Sequence, residues 1–240
     1  MPRSSPGRPG ASRSLRARLA ALRRFYGKPK PPAVTDPFQQ ILLENVAYLA
    51  DDERRAEAFA RLRDRVGLAP KKILEAPSSV LHEIGRKGIV PASSAAKLRE
   101  IAAIALRDFD GDLRSVLDRP LEDARKALRK FPSIGEPAAD RILLFAGSHA
   151  VFSMDSNALR VLLRLGYGKE AKSYSASYRS ARDAVAPELP GAIPALTEAY
   201  QLLRRHGQEI CKRAHPLCDG CPLRAGCVYY RSGGAGASAA

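Results

Sequence analysis

Apolar residues along this chain recur at steps of three and four, and sustained alternation is nearly absent. Leu15, Leu19, Leu22 and Phe25 share one side of a segment otherwise rich in arginine, which predicts a short basic helix. The stretch "KPKPPAVTDP" then breaks the chain with four prolines. From Phe38 to about Leu165 the pattern is helical throughout. "FQQILLENVAYLA" is apolar enough to be a buried helix, and "DDERRAEAFARLRDRVG" runs from acids to Gly67, the polarity a helix dipole favours. "SVLHEIGRKG", "ASSAAKLREIAAIALRDF", "PLEDARKALRKF", "PAADRILLFAGS", "SNALRVLLRLGYG", "ASYRSARDAVAP" and "AIPALTEAYQLLRRHGQEIC" continue it. No Asn-Gly hairpin occurs. The expectation is an all-α fold of eight to ten short helices that closes on a cysteine-rich loop. Residues 1–12 read as a disordered basic tail and 231–240 as a flexible, low-complexity one.

Charge adds a partner. The net charge is +15, and nine of the cations fall among the first 30 residues, which carry no acid. The rest is therefore still basic, which suits a polyanion, most simply nucleic acid. No apolar run approaches the ~20 residues needed to cross a bilayer, and no secretory signal is read at the N-terminus. The expected location is the cytoplasm, at the nucleoid in a bacterial cell, although the Arg- and Ser-rich start also resembles an organelle transit peptide in composition.

All four cysteines, Cys211, Cys218, Cys221 and Cys227, lie within 17 residues as C-x6-C-x2-C-x5-C. A disulfide framework would spread them, so clustering favours a metal site in a reducing compartment. Four thiolates hold either structural zinc or an iron–sulfur cluster. Zinc knuckles usually come as two close pairs, and here only Cys218 and Cys221 make one.

Two further stretches carry candidate chemistry. In "LRKFPSIGEPAADRILLFAG" a tight turn, Pro132–Gly135, joins two helices, with Pro137 in the first turn of the second. Such a turn points backbone N–H groups outward and can hold phosphate without reading sequence. Lys126, Arg129 and Lys130 stand just upstream. The plainer alternative is an ordinary helix–helix corner. In "VFSMDSNALRVLLRLGY", Asp155 precedes an apolar helix. It is either a helix N-cap or a carboxylate able to stabilise a sugar cation or deprotonate an attacking water. The two roles are compatible.

The order hairpin, acid about 20 residues on, cysteine block resembles the endonuclease III superfamily of helix–hairpin–helix DNA glycosylases, from roughly Pro37 to Val228. The resemblance implies two helical domains flanking a DNA-binding cleft. One is a six-helix barrel of residues 39–150; the other joins 13–38 to 151–230 and carries a C-terminal 4Fe–4S cluster held by Cys211, Cys218, Cys221 and Cys227. It implies a monomer acting on double-stranded DNA with a damaged or mispaired base, which is flipped out for cleavage of its glycosidic bond. Asp155 takes the place of the catalytic aspartate, and Asn157 could help position water or sugar. Ser133, Ile134 and Gly135 fall on the hairpin that grips DNA, with Lys130, Lys212 and Arg213 as further DNA contacts.

Departures from the family pattern matter. The hairpin usually begins with Gly where this chain has Ser133. Bifunctional members carry a lysine where this chain has Pro137, which has no amine to form a Schiff base. "MDSN" looks closer to the adenine-glycosylase branch, yet the place of that branch's acidic glutamate holds Gln40, with Glu44 near by. Asn45 would fall where the family fills the gap left by the flipped base. The expected activity is a monofunctional glycosylase with AP lyase absent or weak. The alternatives are a DNA-binding member without excision and a weak lyase using a lysine elsewhere.

Overall fold

The computed structural model describes residues 14–48, 50–86, 94–189 and 191–234. Among them every regular element is helical. The first is α1 (Leu15–Tyr26), capped by Ser14, whose hydroxyl accepts from the Ala17 N–H at 3.3 Å. Then come α2 (Pro37–Val46), α3 (Asp52–Arg65), α4 (Pro70–Glu75), α5 (Ser78–Gly85), α6 (Ser94–Phe109), α7 (Arg114–Leu117), α8 (Leu121–Leu128) and α9 (Glu136–Phe145). The last are α10 (Ser156–Arg164), α11 (Tyr174–Val185), α12 (Ile193–Glu209) and α13 (Val228–Arg231). These thirteen among the described residues exceed the expected eight to ten because α4, α7 and α13 have only six, four and four residues, too short to display a period.

The chain divides into two compact units. Pro31–Ser153 is one, continuous in sequence; the other is assembled from the chain on either side of it. In the continuous unit α6 packs against α2, α4 and α5. Leu98, Ile101, Ala102 and Ala105 on α6 are fully buried, as are Ile41 and Leu42 on α2 and Ile73 on α4. Each such leucine or isoleucine contributes ~1.5–3 kcal/mol. In the discontinuous unit α12 packs against both α1 and α10, and α10 also meets α11 and α13. There α1 is held through Arg18, 2% exposed, whose guanidinium donates to the carbonyls of Leu165 at 2.9 Å and Gly226 at 3.1 Å.

The basic tail read over 1–12 lies outside the described residues, as does 235–240 of the C-terminal tail. Arg231 closes α13, and turn hydrogen bonds continue to Gly234. The break between the helices now labelled α5 and α6 also falls mostly outside them. No described helix is long and apolar enough to cross a membrane.

Candidate functional site

The hairpin joins α8 to α9. Phe131 and Ile134 are buried and anchor it, while Ser133 and Gly135 face solvent. Ser133 adopts φ +61°, the left-handed region that favours glycine. Gly135 caps α9 at φ −86°, which any residue adopts. What its missing side chain provides is space, since a Cβ there would meet nothing nearer than Pro137 Cδ at 3.8 Å. The N–H groups of Ser133 and Gly135 find no acceptor among the described residues. They are free to take an anion.

Two contacts fix this turn. Asp140 on α9 is fully buried and grips Arg125 of α8 in a fork, with Nε to Oδ1 at 2.6 Å and Nη2 to Oδ2 at 3.1 Å. Asn45 on α2 donates from Nδ2 to the Pro132 carbonyl at 3.0 Å and to the Ile41 carbonyl at 3.0 Å. The expectation that Asn45 enters DNA is corrected on this point: it is 1% exposed and braces the hairpin from behind. Gln40 is likewise buried, donating to the carbonyls of Thr35 and Ile142. Glu44 is half-buried between Arg141 at 2.9 Å and Arg55 at 3.5 Å. Lys130 is half-exposed and pairs with Asp108 at 3.0 Å. The Arg107 guanidinium, with Lys130 after it, holds the Asp108 carboxyl down to about 2. With Arg119 and Lys126, Lys130 also lines an open, basic hollow.

In the other unit Asp155 caps α10. Its Oδ1 accepts from the N–H groups of Asn157 at 3.0 Å and Ala158 at 2.8 Å. Its Oδ2 accepts from Asn157 Nδ2 at 3.1 Å and pairs with Arg204 Nε of α12 at 3.1 Å. Asn157 is fixed in turn, since Arg160 donates to its Oδ1 at 2.9 Å while also reaching the carbonyls of Gly207 at 2.7 Å and Cys211 at 2.8 Å. Gly207 lets α12 approach this closely: a Cβ there would stand 2.6 Å from the Asn157 carbonyl oxygen. Tyr174, 47% exposed, stacks on Tyr178 with ring centroids 6.4 Å apart. Burial of its hydroxyl, helped by the Asp155 charge, pushes that hydroxyl up to about 12. Sequence reasoning missed Arg160, Tyr174 and Arg204, which only the α10–α12 packing and the turn into α11 bring to Asp155.

All four cysteines are free thiols lining one pocket, walled by α10, α12 and α13. Among the described residues no three His, Cys, Asp or Glu side chains stand close enough to share a single ion. The thiols surround a space instead of meeting at a point. Arg164 ties the loop down, donating to the carbonyls of Lys212 at 2.7 Å and Arg213 at 3.1 Å. The side chains of Lys212 and Arg213 stay exposed. His206, 1% exposed, sits between Tyr26 at 3.1 Å and the Cys221 sulfur at 3.5 Å, and burial lowers it to about 4.

No family model matches the chain. Curated relatives do. It is 27% identical over 200 residues to an endonuclease III of Sulfolobus acidocaldarius, covering 80% of this chain and 82% of that one. It is 24% identical over 229 residues to a thymine-DNA glycosylase of Aeropyrum pernix, covering 93% and 97%. Among solved structures, a trapped endonuclease III–DNA covalent intermediate superposes with a TM-score of 0.74 at 18% identity, over 91% of this chain and 96% of that one. With the hairpin, the capped acid and the two-unit helical fold, the chain is similar to the endonuclease III superfamily of helix–hairpin–helix DNA glycosylases, and that likeness supports a base-excision glycosylase.

Proposed function

We propose that this glycosylase is monofunctional, with Asp155 as its reacting carboxylate and double-stranded DNA bearing a damaged or mispaired base as its substrate. Water attacks C1′ of the flipped nucleotide and loses a proton to Asp155. The C1′–N bond breaks, its electron pair leaves with the base, and the base takes a proton from solvent. Asn157 holds the carboxylate in line. One observation carries the reading: the cation beside Asp155 is the guanidinium of Arg204, which cannot lose a proton to become a nucleophile. The place of the lyase lysine holds Pro137, which has no amine to offer.

The Ser133–Gly135 turn takes a backbone phosphate through its unpaired N–H groups, with Lys130, Lys212 and Arg213 adding charge. The enzyme works as a monomer. Cys211, Cys218, Cys221 and Cys227 hold a 4Fe–4S cluster. The donor set fits, since such a cluster takes four thiolates and these four line one pocket, while their spacing holds only one close pair of the kind zinc knuckles use twice. When bound, that group supplies structural cohesion to the loop carrying Lys212 and Arg213; the bond cleavage is assigned to Asp155.

Duplexes bearing uracil, oxidised pyrimidines, alkylated bases and common mismatches test the activity. Base release from at least one is expected, together with its loss in Asp155→Asn and retained DNA binding. Borohydride should trap little covalent adduct. Strong trapping that survives replacement of Lys126 and Lys130 would overturn the monofunctional reading, and binding with no release on any duplex would favour a DNA-binding member without excision. Brown protein absorbing near ~400 nm is expected from a cluster; a colourless zinc protein after anaerobic purification would refute it.

A further inference from the structure

The carboxylate of Asp155 is fully engaged. A carboxylate has about four lone-pair directions, and four donors meet this one: two backbone N–H groups, Asn157 Nδ2 and Arg204 Nε. None is left for the proton of an attacking water. Two of these donors are backbone N–H groups in the first turn of α10, whose release would unwind the helix end, and the third, Asn157 Nδ2, is on a side chain that Arg160 holds. The fourth sits on a long side chain from α12 that is 26% exposed. Arg204 is therefore the donor able to leave.

The substrate supplies a reason for it to leave. C1′ of a nucleotide is tied through its sugar to the phosphates on either side. A substrate that brings C1′ to Asp155 therefore brings an anion within reach of Arg204. Guanidinium matches phosphate in a two-pronged fork. Gln208, one turn along α12, meets Arg204 Nη1 at 3.3 Å and keeps the side chain at this end of the helix.

The geometry points to Arg204 as a phosphate-binding residue that doubles as a latch on Asp155. Without DNA it pairs with the carboxylate. With DNA seated it transfers to the phosphate flanking the flipped nucleotide, and one lone pair of Oδ2 opens to water. This rests on Asp155 being the reacting carboxylate. It also makes proton acceptance depend on a correctly placed backbone.

The test measures binding to a duplex with a tetrahydrofuran abasic-site analogue, and to the same duplex unmodified, across a range of potassium chloride. Arg204→Leu should lower the slope of log affinity against log salt by about 0.9 on the analogue duplex, as loss of one phosphate contact does. The unmodified duplex should keep its slope. Affinity for the analogue should fall about tenfold. Asp155→Asn should bind the analogue more tightly, and that gain should vanish when Arg204 is also leucine, so the double-mutant cycle is non-additive. Arg204→Lys should keep the slope. If the leucine variant misfolds, Arg204→Gln repeats the measurement. An unmoved slope, or an additive cycle, overturns the latch. Because binding is read on a duplex with no base to release, this outcome is separate from the lesion panel: release with an unmoved slope sinks the latch alone.

Discussion

Single residues decide what the hairpin and the acid can do. Ser133 sits at φ +61°, a conformation costing an L-residue ~1–2 kcal/mol. Ser133→Gly should raise stability by about 1 kcal/mol in urea unfolding, and duplex affinity should not fall, because the N–H groups stay where they are. That serine was visible in the sequence as a departure; its left-handed backbone was not, since φ is a property of the folded turn. Asp155 was legible as a cap because capping is local. Its partner Arg204 was not, because nothing in a helical repeat says which arginine of α12 faces α10. Gly207 carries the same lesson. A Cβ there would collide with Asn157, so Gly207→Ala should push the Asn157 amide off Asp155 and slow base release about tenfold or more. Single-turnover kinetics on whichever lesion is released would check it.

Between elements, the hairpin depends on contacts behind it. The Arg125–Asp140 fork joins α8 to α9 across the turn, with Asp140 wholly out of solvent. Removing one partner of such a pair strands the other, at a cost of ~3–5 kcal/mol. Asp140→Asn should lower unfolding stability by about that amount and weaken duplex binding with it. Denaturant titration and fluorescence anisotropy would read the two together. The helices that could be read from the sequence are those long enough to repeat, such as α6, whose buried positions recur through four turns. Asn45 was misread for a related reason. Its place near the end of an apolar helix is consistent with an exposed tip, and only the fold puts the Pro132 carbonyl against it.

At the level of the whole chain, fold and family were legible because the motifs come in a fixed order and each has its own chemistry. The thiol pocket could be foreseen from spacing, but not its walls, which come from α10, α12 and α13. A cluster held between those walls would brace one unit only. Stripping it with a chelator should open residues of the cysteine loop to protease while Pro31–Ser153, which contributes no thiol, keeps its resistance. Limited proteolysis followed by mass spectrometry would detect the difference.

Arg18 clasps α1 to the carbonyls of Leu165 and Gly226. The second partner lies 208 positions downstream. On a ribosome adding ~5–20 residues per second, α1 emerges about 10–40 seconds before Gly226 exists. Until α12 is made, the buried face of α1 has no home, while Pro31–Ser153 can already close on itself. The order of synthesis thus leaves an amphipathic, basic helix waiting at the front of a growing chain, and its completion coincides with the arrival of the last cysteine.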